Sequence, residues 1–377
     1  MYNKITFVAL SLTLLVGCQK PTPTFSFLPT QNTFKQNEST VNNKIDILWV
    51  IDNSGSMNGA QQDLKANFDS FIQDFVTKGY DYKIAVTTTD AWRSSASGVV
   101  DGDGDLYYSN DDRAVFKDHG FTYSDPNSPN CWQESRVDTG VSVITPDTAN
   151  IVDTFKTNAI QGVCGNGDER AFQSFKAALS TNLNAGFLRE DSFLSIIIVS
   201  DEDDFSHDEN GFAGYYSYPG LHSVDSYNAF LENLTGTSGA SKRFSVSAMA
   251  IWDQDCVAQQ KAVYNSTQIV AQRYGALVDL TEGIKGSLCG NFAQSLLDIS
   301  NNIIQLSTQF FLDREPDVST IKISINGIDV PIVSENPSGN GGYEYNADSN
   351  SIKFYGDFIP DQGATIVVDY DPVSFAE

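Results

Sequence analysis

Asp52, Ser54 and Ser56 stand at alternate positions directly after the apolar run Ile45-Asp46-Ile47-Leu48-Trp49-Val50-Ile51. One carboxylate and two hydroxyls at that spacing offer oxygen donors only, which is the chemistry of a hard divalent cation. Magnesium wants about six oxygens in an octahedron and gives up its waters reluctantly, so neutral hydroxyls with few carboxylates suit it. The plainer role for Ser54 or Ser56 is a helix cap, in which the side-chain oxygen accepts backbone N–H bonds. A second acidic stretch, Asp201-Glu202-Asp203-Asp204, follows the apolar run 193–200. Asp201 then falls at the end of another buried strand, while Asp203 and Asp204 suit the capping of a surface turn.

Such groups need strands that stop at loops. Apolar runs predict strands over 45–51, 80–89, 193–200, 244–252 and 276–280, and amphipathic spacing predicts helices near 59–77, 147–159, 168–184, 224–234, 258–274 and 291–308. Strand alternating with helix predicts an α/β domain over 44–310, with a doubly wound, mostly parallel sheet. Ligands bind such sheets at the carboxyl ends of the strands. A polar insertion, 91–146, interrupts the alternation and carries Asp101, Asp103, Asp105 and Asp112 at the first, third, fifth and twelfth places of a calcium loop. Leu106 stands where that loop needs glycine, and Asp112 where a bidentate glutamate is usual. A solvated acidic loop is the alternative to Ca2+ binding here, and a loop of this length is also a candidate for partner recognition.

Asp52-x-Ser54-x-Ser56, with Asp201 on a neighbouring strand, resembles the metal-ion-dependent adhesion site of von Willebrand factor type A domains. These are Rossmann-type domains that include integrin ligand-binding domains and many bacterial surface proteins. The resemblance implies Mg2+ or Mn2+ held by Ser54 and Ser56, with Asp52 and Asp201 coordinating or holding bound waters. It also implies an open position that takes a carboxylate from a protein ligand. The family's third element is a threonine in a glycine-rich loop before a helix. Here that loop reads Gly162-Val163-Cys164-Gly165-Asn166-Gly167-Asp168-Glu169, without a threonine. Asn166 falls nearest to the place, and Asp168 or Glu169 could reach in directly or through water.

The N-terminus supplies an address. Lys4, the apolar stretch from Ile5 to Leu15 and then Val16-Gly17-Cys18 read as an export signal over 1–17, too short to span a bilayer comfortably. The pattern resembles a bacterial lipobox, which implies cleavage before Cys18, diacylation of its thiol and membrane attachment through that lipid. Gln19 is not the aspartate that often retains lipoproteins in the inner membrane, so an outer-membrane location in the cell envelope is expected. Residues 18–43, rich in Pro, Asn and Thr without periodicity, read as a flexible tether.

Four further cysteines, Cys131, Cys164, Cys256 and Cys289, suit an oxidising compartment and two disulfides. Of the three possible connectivities, Cys131–Cys164 with Cys256–Cys289 closes two local loops, one on each side of the Asp201 strand. Zinc is the competing reading, but there is no C-x-x-C pair, and His119, His207 and His222 are scattered. The 48 acidic against 23 basic residues give a net charge of −25, which excludes nucleic acid and anionic lipid surfaces as natural partners.

Beyond 313 the pattern turns to period two, with Asn326-Gly327 between Ile321-Lys322-Ile323-Ser324-Ile325 and Ile328-Asp329-Val330, a strong hairpin signal. Residues 313–377 therefore read as a small all-β domain. Three functions follow. The first is a lipid-anchored binding protein that engages a protein ligand through a divalent metal, in adhesion or envelope assembly. The second is a non-catalytic scaffold with a structural metal. The third is a metal-dependent hydrolase, against which stand the missing G-x-S-x-G, H-E-x-x-H and G-x-x-x-x-G-K-[ST] motifs. His207 could serve as a base but reads as a solvated loop histidine, so a non-enzyme is expected.

Overall fold

The computed structural model describes residues 30–35, 44–95, 112–123, 134–208, 216–264 and 268–373. The export signal, Cys18, Cys131 and the calcium-loop positions Asp101, Asp103 and Asp105 lie outside these residues, while Asp112 opens a short 3-10 turn, Asp112–Ala114. In chain order the strands are β1 (Thr30–Lys35), β2 (Lys44–Ile51), β3 (Asp81–Thr88), β4 (His119–Tyr123), β5 (Glu134–Asp138), β6 (Val143–Ile144), β7 (Phe193–Val199), β8 (Phe244–Ala250), β9 (Lys285–Ser287) and β10 (Phe310–Phe311). They continue with β11 (Lys322–Ile325), β12 (Ile328–Val330), β13 (Gly341–Asn346), β14 (Ser351–Gly356) and β15 (Thr365–Tyr370). The helices are α1 (Asn58–Thr77), α2 (Ile151–Asn158), α3 (Ala171–Ser180), α4 (Val224–Thr235), α5 (Gln254–Tyr264), α6 (Gln272–Leu280) and α7 (Phe292–Ser307).

A six-stranded sheet in the order β6-β3-β2-β7-β8-β9 forms the centre. Five strands are parallel and β6 pairs antiparallel at the edge, Ile84 opposite Ile144. A parallel sheet is covered on both faces, so its strands read as continuous apolar runs. In β2, Ile45, Ile47, Trp49 and Ile51 face a core shared with α1, α2 and α7, whereas Leu48 and Val50 face α3, α4 and α6. Trp49 anchors the first face, its ring 5.1 Å from that of Phe71 and 5.2 Å from that of Phe155. The architecture is thus mixed α/β with helices on both faces. The chain leaves β2 for β3 on one side and returns to β7 on the other, so the β2/β7 boundary is the switch point where such sheets open a crevice.

The predicted strand at 276–280 is instead the end of α6, and the predicted helix 258–274 divides between α5 and α6. A run of five residues, four of them apolar, cannot by itself distinguish strand from buried helix. Tyr274, Leu277 and Val278, at helical spacing, are the residues that bury. The sheet's last strand comes later, at β9. Part of the insertion is structured, with β4 and β5 forming an antiparallel hairpin.

Two small antiparallel sheets, β1-β15-β11-β12 and β10-β14-β13, form the C-terminal module around Ile323, Tyr343, Ile352, Phe354, Ile366 and Val368. Asn326 and Gly327 take φ of 51° and 80°, the two left-handed residues of a tight hairpin turn. The tether expectation needs correction at its centre, because Thr30–Lys35 is a strand paired along its length with β15, Thr30 opposite Tyr370 and Lys35 opposite Thr365. The module rests on the amino end of the large sheet, where Tyr80 donates to the Pro360 carbonyl at 3.1 Å and Lys78 pairs with Asp361 at 3.3 Å.

Candidate metal centre

The loop after β2 is shaped by its own side chains. Asp52 Oδ1 accepts the Ser54 N–H at 2.8 Å, and Met57 N–H closes a turn onto the Ser54 carbonyl at 3.2 Å as α1 begins. Gln61, one turn into α1 and buried, donates to the carbonyls of both Asp52 and Gly162 at 2.9 Å and accepts from Gln161 N–H at 3.0 Å. The glycine-rich loop is thereby pulled against the Asp52 loop. Gly165 N–H meets the Asn53 carbonyl at 2.7 Å, and a Cβ on Gly165 would stand 2.6 Å from the Asn53 side chain, so this approach requires glycine. Cys164, in the same loop, is disulfide-bonded; elsewhere Cys256 and Cys289 are joined.

At the end of β7, Ser200 Oγ donates to Asp52 Oδ2 at 2.6 Å, and Ser56 Oγ donates to Asp201 Oδ1 at 3.1 Å. The Asp52 N–H extends the β2–β7 ladder to the Val199 carbonyl at 2.9 Å. Asp52, Ser54, Ser56 and Asp201 therefore gather at the switch point, at most 9 % exposed. Two further acids join them. Glu169, just before α3, is fully buried, and Glu202 accepts from the Tyr216 hydroxyl at 2.5 Å. Gln268 Nε2 donates to Asp201 Oδ2 at 3.3 Å.

The electrostatics are one-sided. Burial pushes Asp52 up to about 7, with the charge of Asp201 adding to it and hydrogen bonds from Ser200 and Ser54 opposing. Burial pushes Glu202 up to about 8 against the Tyr216 hydrogen bond, and raises Asp201. Glu169 is raised well above the usual carboxylate range, first by burial and then by Asp52, Glu202 and Asp201. Among the described residues none of these four acids pairs with a Lys, Arg or His. Ser54 Oγ is buried with no hydrogen-bond partner among the described residues. An oxygen-only set with surplus negative charge and an orphaned hydroxyl fits a hard divalent cation better than a thiolate- or imidazole-seeking one.

The neighbouring acids are differently employed. Asp168 is held by the Arg170 guanidinium, Nε at 2.8 Å, and burial still raises it to about 6. Arg170 itself lies over the Trp92 ring, 3.8 Å from its centroid. Asp203 accepts N–H bonds from Arg273 and Tyr274 at the start of α6, and Asp204 pairs with Arg273 at 3.0 Å; both are buried, not at the surface. Asn166 Oδ1 accepts the Asp168 N–H at 2.9 Å. His207 is likewise not the solvated loop histidine that the sequence predicts. It is fully buried, its Nε2 3.5 Å from Asp168 Oδ2 and its carbonyl bonded by Arg170. Among the described residues, Asp118, His119 and Asp138 are the acid and histidine group whose ligand atoms all lie within 4.8 Å of one another, and Arg136 binds both aspartates.

No protein-family profile and no curated protein sequence matches this chain. Solved structures share its outline only distantly. The pilus adhesin SpaC from Lactobacillus rhamnosus GG, in its open conformation, is similar at 10% identity and a TM-score of 0.38, over 92% of this chain and 41% of SpaC. Proximal thread matrix protein 1 from the mussel byssus is similar at 10% identity and a TM-score of 0.34, over 73% of this chain and 50% of its own. The pilus adhesin RrgA from Streptococcus pneumoniae gives 10% identity and a TM-score of 0.24, over 90% of this chain and 57% of RrgA. The chain thus spans about half the length of these proteins, and a likeness of this degree carries no function across.

Sequence had singled out Asp52, Ser54, Ser56 and Asp201, which the fold brings together. Glu202 and Gln268 were missed, and no local signal could have found Gln268, which arrives from a different loop.

Proposed function

We propose that this protein is a lipid-anchored binding protein of the bacterial cell envelope, with a von Willebrand factor A-like domain that engages a protein ligand through a divalent metal. Ser54 and Ser56 would ligate the ion, with Asp52 and Asp201 ligating or orienting bound waters. Mg2+ or Mn2+ is the expected occupant, and Ca2+ the alternative. The observation that carries the reading is the gathering of Asp52, Asp201, Glu169 and Glu202 around Ser54 and Ser56, with no cationic side chain among the described residues to offset them. Unpaired charge of one sign is costly in a closed site, so acids gathered without a cationic side chain suit a bound cation. When bound, the ion supplies an electrophilic position for an oxygen of the partner. The chain's own part is to hold the donors at neighbouring strand ends and to keep bulk water from them.

Anchoring through Cys18 and an outer-membrane address remain part of this proposal, resting on the lipobox-like sequence. The second reading, a scaffold whose ion only ties loops together, is favoured by the near-complete burial of the donors. Binding of the protein to cells and envelope fractions, with and without chelator and with Ser56→Ala, separates the two. Loss of binding in both conditions, with the fold intact, is expected. Binding indifferent to both would reject adhesion through this site.

A further inference from the structure

The loop 162–169 carries three oxygen-bearing side chains close to the centre, and two are already committed. Asn166 Oδ1 takes the Asp168 N–H, and Asp168 is neutralised through Oδ2, which takes the Arg170 guanidinium and faces His207, while its Oδ1 is buried without a hydrogen bond. Glu169 is the exception. It has no exposure, and its carboxyl receives no N–H or hydroxyl from the described residues but meets the carboxyl of Glu202, a hydrogen bond between two acids. The charged groups it meets are Asp52, Glu202 and Asp201, all of its own sign. The residue is nonetheless held in place, since its carbonyl accepts the Phe205 N–H at 2.8 Å while Phe172 N–H, in the first turn of α3, is capped by Asp204. Acids held together in a closed site take up a proton or a cation, and a bound cation would take the proton's place between Glu169 and the three acids around it.

We propose that Glu169 is the third protein ligand of the ion, a carboxylate standing where type A domains have a neutral threonine. The proposal rests on the reading that Asp52, Ser54, Ser56 and Asp201 form the metal centre. Its consequence concerns the partner. Asp52, Asp201 and Glu169 together outweigh a divalent charge, so the ion's remaining position favours a neutral oxygen, a carbonyl or a hydroxyl, over the carboxylate that a less acidic shell invites. A carboxylate ligand like Glu169 also suits the larger, bidentate-tolerant Ca2+ or Mn2+ more than Mg2+.

The test uses the full chain and the metals alone. Calorimetric titration with MnCl2, CaCl2 and MgCl2 compares wild type with Glu169→Gln, Glu169→Thr and Ser54→Ala. Both Glu169 variants are expected to lose about tenfold or more in Mn2+ and Ca2+ affinity, at least the effect of removing a ligand's supporting group. Water-proton relaxation of the Mn2+ complexes reads the open position directly: acetate should displace bound water from the Glu169→Thr complex and leave wild type unchanged. If Glu169→Gln binds within about twofold of wild type while Ser54→Ala fails, Glu169 is not a ligand and the centre stands without it. Should Ser54→Ala bind as wild type too, the centre itself is misassigned. Acetate displacing water from the wild-type complex overturns the neutral-oxygen preference. Glu169→Gln is nearly isosteric and carries the test if the threonine variant does not fold.

Discussion

Asp46 and Asp52 stand near the two ends of one strand, both with no solvent exposure, yet only one of them is matched in charge. At the amino end, Arg189 brings its backbone N–H and its Nε to within 2.8 Å of the two Asp46 oxygens, and reaches Asp81 with the same guanidinium. At the carboxyl end, Asp52 has hydroxyl and amide donors and three other acids for company. The contrast repeats among the surrounding loops. Asp90 has Arg93 and Arg113, Asp168 has Arg170, and Asp204 has Arg273. This chain has few basic residues and sets these arginines against acids that hold structure. Of the acids in these loops, Asp203 is held by backbone N–H groups instead, and the other four without an arginine among the described residues lie at the switch point, where the unmatched negative charge collects.

Breaking the matched end gives the largest effect. Arg189→Ala leaves Asp46 buried and uncompensated, and should cost about 3–5 kcal/mol in denaturant unfolding, as the loss of one partner of a buried pair does. Asp52→Asn, which removes charge from the unmatched end, should leave the metal-free protein as stable as wild type or more so. If the two changes destabilise equally in the absence of metal, the two ends do not differ in the way described.

Saturating divalent metal is next, worth about 2.7 kcal/mol at a hundredfold excess over Kd. Its thermal shift should vanish in Asp201→Ala. The same shift in that variant as in wild type would place the ion elsewhere.

The pH dependence sharpens the comparison further. Asp52 and Glu202 sit at about 7 and about 8 in the folded protein, against 3.8 and 4.5 as ordinary values, so between those limits the folded state binds more protons than the unfolded. Stability of the metal-free protein is therefore greatest below pH 4 as far as these groups decide it, and falls as pH rises to about 8. With metal bound the carboxylates stay ionised and the slope should flatten. A metal-free melting profile that rises over that range would contradict the unmatched cluster. The smallest effect is that of Ser54→Ala on the metal-free fold, expected within about 1 kcal/mol of wild type, the worth of the hydroxyl's contact with Asp52.

How far the sequence disclosed this arrangement depends on the range of the forces involved. The runs 45–51 and 193–200 are legible because a strand buried on both faces must be apolar throughout, and loop residues after them inherit the strand ends. Residues 276–280 misled because an apolar run that short suits either element, and the decision came from packing in the second core. Thr30–Lys35 was invisible as a strand because its composition is polar and its partner lies at the other end of the chain. Glu169 could not be told from Asp168, its neighbour in the same loop. Their roles parted only when Arg170 and His207 took Asp168, a choice made in three dimensions.

The pairing of β1 with β15 also sets how tension enters the molecule. A pull on the chain ahead of Thr30 meets that antiparallel ladder first and passes through the C-terminal module, at the end of the sheet remote from Asp52. Only when the ladder parts does a pull reach β2 along the chain itself. The module would then act as a mechanical fuse in series with the sheet, yielding before the strands that carry the acids are disturbed.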